Sequence, residues 1–213
     1  MTDPGEAAPR VAPPRALLVV DIQSSFAAPE HTPWLAAADR ARLERAIDNA
    51  AELVGAYRRT GHPVIWIRLV QTPQRPWAAS RWLRGLGNDV PWPDEEPCVA
   101  GTDGMDWYRL HPEPGEQIVD KRFYSGFLET RLRDVLETLG VSDLAVAGLT
   151  TECCILATVY DAVQHGFRVT LVTDASASYD DSDHVAAVRM MTANAARPAT
   201  GTEAMAAVRD EGG

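Results

Sequence analysis

Two adjacent cysteines, Cys153 and Cys154, follow a run of small residues and threonines in the stretch GLTTECCILATVYDA, residues 148–162. Neighbouring side chains on a helix point in different directions, so the two thiols are not expected to share one task. A cysteine at a helix N-terminus is a suitable nucleophile, because backbone N–H groups and the helix dipole stabilise its thiolate. The alternative for either cysteine is a small apolar residue in the core.

The segments that must position these thiols alternate between strand and helix. Short apolar runs such as ALLVV are typical of strands buried on both faces, and apolar residues at helical spacing lie between them. This alternation implies right-handed crossovers and therefore a three-layer α/β/α sandwich with a central, mainly parallel sheet. The predicted strands are 16–20, 63–70, 116–121, 143–149 and 168–175, and the predicted helices are 37–60, 127–140, 152–165 and 181–195.

The domain boundaries follow from length and local composition. A chain of 213 residues suits one domain, which we place at 16–208. Residues 1–15 are rich in Pro and Ala and are predicted to form a disordered tail, with a second short tail at 209–213. The stretch 71–115 is predicted to be irregular.

Composition excludes several classes of function. The net charge of −10 argues against binding a nucleic-acid backbone, which needs clustered basic residues. No apolar run approaches the roughly 20 residues of a membrane span. Three cysteines cannot form a disulfide framework, and the N-terminal stretch lacks the apolar region of a secretory signal. We therefore expect a cytoplasmic protein that does not bind nucleic acid or a membrane.

Polar residues at the predicted strand ends supply a possible catalytic group. Ligands of an open parallel sheet bind beyond the carboxyl ends of its strands. Asp21 follows the first strand, Lys121 closes the third, and the two cysteines follow the fourth. A nearby lysine stabilises a thiolate, and a carboxylate can accept the thiol proton. Taken singly, Asp21 could be a turn residue and Lys121 a surface lysine, but their joint placement favours catalysis.

Three ordered motifs resemble those of the isochorismatase-like cysteine hydrolases, a family that includes nicotinamidases, N-carbamoylsarcosine amidase and ureidoacrylate hydrolase. LLVVDIQSSF resembles the family's first strand with its catalytic Asp. GTDGMDWYRLHPEPGEQIVDKRFYSGFLETRL resembles its central segment, in which a Lys ends a strand. AGLTTECCILATVYDA resembles its nucleophile loop, with Gly, Thr and Cys at intervals of three. KRFYSGF is closer to the ureido and carbamoyl members than to nicotinamidases.

The resemblance implies a catalytic triad of Asp21, Lys121 and Cys154, and it makes Cys153 a packing residue or part of the pocket wall. It also implies an oxyanion hole formed by the backbone N–H groups of Thr150 and Cys154. A non-proline cis peptide bond is implied between Leu149 and Thr150. The expected reaction releases ammonia or an amine from an amide, ureido or lactam compound through a thioester.

The resemblance also bears on metals. Nicotinamidases bind a metal through an Asp and two His near the second strand, whereas the corresponding segment here, RLVQTPQRPW, has no histidine. We therefore expect no metal and no cofactor. His111, His165 and His184 are scattered and are expected to be surface or capping residues.

The pocket walls are less determined. Phe26 follows Asp21 by five residues and is expected to line the site together with Trp107, Tyr124 and Phe127. Aromatic residues are also common in cores and interfaces, so that alternative stays open. Cys98 is expected to be a packing residue. The remaining candidates are aromatic residues that could fold over the site, Trp77 and Trp82, and arginines that could hold a substrate carboxylate, Arg68, Arg75, Arg81 and Arg122.

Three other functions remain to be weighed. A true isochorismatase cleaves a vinyl ether by acid chemistry and needs no thiol, so Cys154 argues against it. A non-catalytic binding protein on the same fold would not need the triad. A flavodoxin-like nucleotide binder would carry a Gly-rich phosphate loop after the first strand, and none is present. The resemblance further implies a small-molecule substrate and a homo-oligomer, either a dimer or a tetramer.

Overall fold

A six-stranded sheet forms the centre of the protein in the computed structural model, which describes residues 15–87 and 96–209. The strands are β1 (Arg15–Val20), β2 (Val64–Leu69), β3 (Gln117–Lys121), β4 (Asp143–Leu149), β5 (Arg168–Ala177) and β6 (Arg197–Ala199). Their order across the sheet is β3-β2-β1-β4-β5-β6, and all five pairings are parallel. The predicted parallel α/β architecture is confirmed.

Helices connect these strands and cover both faces of the sheet. They are α1 (Ser24–Ala27), α2 (Ala37–Arg59), α3 (Ala78–Leu83), α4 (Leu132–Thr138), α5 (Leu156–Gln164), α6 (Asp181–Asn194) and α7 (Gly201–Arg209). A 3-10 turn spans Asp103–Met105, and a π-helical turn, Thr151–Ile155, leads from β4 into α5. Each helix in the described ranges is either too short or too polar to cross a lipid bilayer.

Two apolar cores lie on opposite faces of the sheet. Leu17 and Val19 of β1 belong to the core that α2 and α7 cover, whereas Leu18 and Val20 belong to the core beneath α4, α5 and α6. This division follows from the two-residue alternation of side chains along a strand. Burial on both faces explains why the strand sequences are continuous apolar runs rather than alternating ones.

Some predicted boundaries were wrong. Strand β1 begins at Arg15 and helix α7 ends at Arg209, so these two residues are not parts of tails. Residues 1–14 and 210–213 of the predicted tails lie outside the described residues. Neither β6 nor α7 was predicted. The three residues of β6 include a proline, which weakens the sequence signal of a strand.

The segment predicted to be irregular, 71–115, contains helix α3 and the 3-10 turn. The helix predicted to begin at 127 begins only at Leu132. Glu129 accounts for this difference, because it adopts a positive φ of 55° that a helix cannot contain. The segment before α4 is therefore a set of turns rather than a helical extension.

Gly148 lets strands β1 and β4 approach each other closely. It pairs with Val20 across the two strands and has φ of 127°, a value that L-residues rarely adopt. A Cβ at this position would overlap the backbone of Val20, including its carbonyl oxygen. Only glycine therefore fits at the point where both strands approach their carboxyl ends.

The strand order reverses between β1 and β4, because the chain runs outward from β1 toward β3 and then returns to β4. In parallel sheets of this kind, the crevice beyond the carboxyl ends at such a reversal is the usual ligand site. The residues immediately after β1 and β4 are Asp21 and Thr150. The fold thus places the segments predicted to carry the chemistry at this crevice.

Candidate active site

Asp21, Lys121 and Cys154 meet at the carboxyl edge of the sheet. The Lys121 Nζ lies 2.6 Å from Asp21 Oδ2 and 3.3 Å from Cys154 Sγ. The three residues are 0%, 1% and 6% exposed, respectively. A lysine, a carboxylate and a thiol are thus held in contact, largely shielded from solvent.

Lys121 reaches this group from a strand that is not adjacent to β1. Strand β2 lies between β3 and β1, so their backbones are about 10 Å apart. The extended lysine side chain bridges part of that distance. Its ammonium group also donates a hydrogen bond to the carbonyl oxygen of Phe123 at 3.0 Å. The three ammonium protons therefore match three partners, which fixes the charged end in place.

Asp21 is held by an unusual local conformation. Its φ is 51°, and its N–H donates to the carbonyl of Ile67 at 2.8 Å. The buried side chain of Gln23 donates to the carbonyls of Leu69 and Met105, both at 3.0 Å. The Gln23 Oε1 accepts a hydrogen bond from the Leu69 N–H at 2.8 Å. This amide ties the end of β1 to β2 and to the 3-10 turn, a role that sequence reasoning missed.

Burial and mutual contact shift all three pKa values. Burial raises the pKa of Asp21 above its usual range, although Lys121 and Cys154 oppose the rise. Burial disfavours the charge on Lys121, but Asp21 and Cys154 outweigh it and raise the pKa of that lysine. The contact with Cys153, together with burial, raises the pKa of the Cys154 thiol. A protonated thiol thus lies in the same cluster as a carboxylate of enhanced basicity.

The nucleophile loop begins with a cis peptide bond between Leu149 and Thr150, the bond at which the resemblance placed one. The carbonyl oxygen of Thr150 accepts hydrogen bonds from the N–H groups of Cys153 and Ile155, both at 3.2 Å. The Thr150 N–H itself makes no hydrogen bond within the described part of the chain. It is therefore available to an oxygen atom at the site.

A cavity of about 250 Å³ opens beside the thiol. Phe26 and Tyr124, both expected pocket residues, line it, as do Trp77 and Cys153. Its walls are mainly apolar and aromatic, which is typical of small-molecule sites. The other lining residues are Leu69, Gln71, Ser80, Arg84, Glu96, Pro97, Leu149, Thr150, Glu152, Cys154 and Tyr179.

Two of the expected pocket residues, Trp107 and Phe127, do not line this cavity. Trp107 packs instead against Trp66, with ring centroids 5.2 Å apart. Phe127 is 7% exposed and packs against the rings of His165 and Phe167 in the core beneath α4 and α5. Both rings pack in or against the cores, where burial of apolar surface is favourable.

None of the four arginines proposed as substrate clamps lines the cavity. Each contacts a carboxylate instead: Arg68 pairs with Asp120, Arg75 and Arg122 with Glu129, and Arg81 with Glu96. Trp82, the other candidate, is 79% exposed and is absent from the cavity walls.

Arg84, which was not predicted, is the arginine in the lining. Its guanidinium contacts Glu96 Oε2 at 2.6 Å, while Arg81 contacts Glu96 Oε1 at 2.8 Å. The Glu96 side chain is 2% exposed. Arg84 is therefore engaged by a buried carboxylate before any ligand arrives.

The histidines differ from expectation in one case. The Nδ1 of His184 lies 2.8 Å from Thr151 Oγ1, and burial lowers the pKa of this histidine. His184 thus contacts the nucleophile loop and is only partly exposed, so its assignment as a surface or capping residue was wrong. His165 packs against Phe127, and the His111 carbonyl accepts a hydrogen bond from Arg58.

The third cysteine, Cys98, lies outside the triad. Cys98 is fully buried, and its N–H donates to Ser25 Oγ at 2.9 Å. Among residues 15–87 and 96–209, no group of three or more His, Cys, Asp or Glu side chains is arranged to hold a metal ion.

Comparison with known proteins identifies relatives of this chain. The Isochorismatase domain family matches residues 15–203. A streptothricin hydrolase of Streptomyces noursei is 33% identical over 184 residues, which are 84% of this chain and 60% of that protein. The ureidoacrylate amidohydrolase RutB of Azorhizobium caulinodans is 28% identical over 173 residues, 76% of this chain and 75% of the relative.

A solved structure agrees with the fold. The N-carbamoylsarcosine amidase of Thermoplasma acidophilum superposes with a TM-score of 0.71 at 23% identity, covering 88% of this chain and 96% of that one. This likeness bears on the fold alone. The chain spans only 60% of the length of the streptothricin hydrolase.

Proposed function

The chain belongs to the isochorismatase family, and from that premise we propose that it is a cysteine hydrolase that cleaves a C–N bond of a small amide, ureido or lactam compound. One observation carries the proposal: the Lys121 ammonium contacts both the Asp21 carboxylate and the Cys154 thiol inside a buried site. The family match, the hydrolase name of one relative and the amidohydrolase name of the other support the reaction class.

Thiol attack is the first step of the proposed reaction. Asp21 removes the proton from Cys154, and the resulting thiolate attacks the carbonyl carbon of the substrate. The Thr150 N–H, which has no partner in the described structure, and the Cys154 N–H stabilise the oxyanion. Lys121 stabilises the negative charge as it moves from the carboxylate to the thiolate.

Collapse of the intermediate breaks the C–N bond. Asp21 returns its proton to the nitrogen, ammonia or an amine leaves, and the acyl group remains on Cys154 as a thioester. Water then attacks the thioester with Asp21 as the base, which releases a carboxylic acid and restores the thiol. The raised pKa of Asp21 suits it to both roles, because proton transfer is easiest when donor and acceptor are similar in basicity.

Two alternatives are disfavoured by the same geometry. Vinyl-ether cleavage requires protonation of carbon and gives a thiol no task, although here the thiol contacts Lys121, which in turn contacts Asp21. A binding protein would keep a lysine and an aspartate buried without using them. Burial of an ion pair is often neutral or unfavourable for stability, so a role in chemistry explains its presence better.

The experiment is a panel of small amides, ureido acids, lactams and isochorismate, followed by intact-mass spectrometry of the quenched enzyme. We expect ammonia or amine release from one C–N substrate and an acyl adduct on Cys154. Full-rate pyruvate release from isochorismate by Cys154→Ala would overturn the proposal. Assembly as a dimer or tetramer and a cytoplasmic location remain predictions from resemblance and sequence.

A further inference from the structure

Two residues that line the cavity each carry a buried hydrogen-bond acceptor that has no donor in the described part of the protein. They are Gln71 Oε1 and Glu152 Oε2. Gln71 is 2% exposed, and its Nε2 donates to the Arg122 carbonyl at 3.2 Å. That bond fixes the orientation of the amide, so the atom left without a partner is the oxygen. Buried polar atoms are rarely left unpaired, and two in one cavity indicate a ligand that donates hydrogen bonds.

The ion pairs of the charged residues near the cavity also bear on the charge of the ligand. Asp21 is paired with Lys121, and Glu96 is paired with both Arg81 and Arg84. Glu152, by contrast, makes no ion pair within the described residues. Glu152 is half-buried, with its Oε2 fully buried, so its carboxylate is a negative group of the lining, two residues before the nucleophile, that no ion pair within the described residues compensates.

Aromatic rings form much of the remaining wall. Trp77 and Tyr124 pack edge to face with centroids 4.6 Å apart, and Phe26 and Tyr179 complete the apolar lining. The Tyr179 hydroxyl donates to the Phe26 carbonyl at 3.1 Å, which holds both residues in place. Aromatic faces attract cations as well as apolar groups. A wall of rings with one unpaired carboxylate is therefore suited to an organic cation.

We propose that the cavity selects substrates with a cationic N–H donor group, an ammonium, amidinium or guanidinium, bound by Glu152 and Gln71 beside the scissile C–N bond. This inference rests on the proposed function, because it takes Cys154 to be the reactive thiol. The competing arrangement is an anionic substrate held by Arg84. Glu96 already engages that arginine, whereas Glu152 has no ion-pair partner among the described residues.

Methanethiosulfonates of different charge test the proposal directly. The Cys154 thiolate attacks the sulfenyl sulfur, the S–SO₂ bond breaks, methanesulfinate leaves, and a mixed disulfide forms while the thiol proton passes to Asp21 or solvent. The reagents are 2-aminoethyl, methyl and 2-sulfonatoethyl methanethiosulfonate, which are cationic, neutral and anionic. The rate measurements with these three reagents use a Cys153→Ala background so that the adduct on Cys154 is read by peptide mapping.

We expect the cationic reagent to react faster than the anionic one after each rate is divided by that of the neutral reagent. Glu152→Gln keeps the size of the side chain and is expected to reduce this preference about tenfold, the magnitude of one partly screened charge at close range. Glu52→Gln is the matched control, because it removes one negative charge from an exposed site on α2. It is expected to leave the preference unchanged.

A second measurement uses the wild-type protein, so its outcome does not depend on whether a variant folds. Benzamidine and benzamide have nearly the same shape but differ in charge, so wild-type Cys154 should be protected from the neutral reagent at lower concentrations of benzamidine. Equal protection, a preference unchanged in Glu152→Gln, or faster reaction of the anionic reagent would overturn the inference alone. If Cys154 reacts with none of the reagents while the protein is folded, the proposed nucleophile is wrong and the inference falls with it.

Discussion

The two sides of the cavity are built in different ways. On one side, Asp21, Lys121 and Cys154 come from the ends of strands or the turn after one, and none is more than 6% exposed. On the other side, Trp77 and Tyr124 come from turns and lie near the surface, with Tyr124 37% exposed. The sheet fixes the reacting atoms, whereas the irregular segments shape the space that the substrate occupies.

This contrast predicts different kinetic effects for the two sides. A residue that acts on the transition state changes kcat and kcat/KM together, whereas a residue that only contacts the substrate raises KM. Changes in the triad are therefore expected to lower kcat, and changes in the aromatic wall are expected to raise KM.

Removing the nucleophile should have the largest effect. Cys154→Ala is expected to lower kcat by about 10⁴-fold or more, since no thioester can form. Cys153→Ala, the matched control one residue away, should keep kcat within about tenfold because its side chain lines the cavity without contacting Lys121. Steady-state kinetics with one C–N substrate checks both. A larger loss in Cys153→Ala than in Cys154→Ala would reverse the assignment.

Lys121→Met should lower both activity and stability. We expect kcat to fall by about 10² to 10⁴-fold, because the charge that stabilises the thiolate is lost. Removing one partner of a buried ion pair also costs about 3–5 kcal/mol of unfolding free energy at neutral pH. Chemical denaturation measures that loss. Arg133→Met, which breaks the exposed pair of Arg133 with Glu137, should change stability by less than about 1 kcal/mol.

The loss of stability in Lys121→Met should depend on pH in a definite direction. Burial already raises the pKa of Asp21, and losing the ammonium raises it further. A group whose folded pKa is raised binds its proton more tightly in the folded state, so folding is favoured at low pH and opposed as pH rises. The difference in unfolding free energy from wild type should therefore shrink toward acid pH. A difference that grows on acidification would contradict the predicted buried carboxylate.

The pH dependence of the wild-type rate should report the same carboxylate. Asp21 must be ionised to accept the thiol proton, so kcat/KM should fall as pH falls through its pKa. Because burial raises that pKa, the midpoint of the acid limb should lie above 3.8, the usual value for aspartate. A midpoint at or below 3.8, in a protein still folded by circular dichroism, would argue against Asp21 as the base.

A change in the aromatic wall should affect binding more than chemistry. Trp77→Ala is expected to raise KM by about 5- to 30-fold and to change kcat by less than about threefold, because the ring contacts the substrate away from the reacting atoms. The control is Trp82→Ala, which removes a ring of the same size that is 79% exposed and does not line the cavity. Equal KM changes in the two variants would remove Trp77 from the site.

Chelation should have the smallest effect. Dialysis against a chelator is expected to leave kcat/KM unchanged, because the proposed reaction uses a thiol, a carboxylate and a lysine. Elemental analysis of the purified protein provides the companion measurement. Activity that is lost on dialysis and restored by a stoichiometric metal would show that the reaction also requires a metal ion.

The sequence was informative about the triad because its members are polar residues at the ends of apolar runs. The end of ALLVV predicts the position of Asp21, and Gly148 with the threonines predicts that of Cys154. The wall was predicted only in part, since nothing in the local sequence distinguishes the ring of Trp107, which packs against Trp66, from that of Trp77. Which ring reaches the cavity depends on long-range packing of the turns around the sheet.

The contact of Gly148 with β1 constrains how the protein can change over generations. Any amino-acid substitution at this position adds a Cβ against the Val20 backbone and would displace the strand end that carries Asp21 from the one that carries Cys154. Gly140 also has a positive φ, but nothing lies within 4 Å of a Cβ there, so a random library should return viable variants at 140 and almost none at 148. Substitutions that change substrate preference are therefore expected in the turns that carry Trp77 and Tyr124 rather than in the sheet.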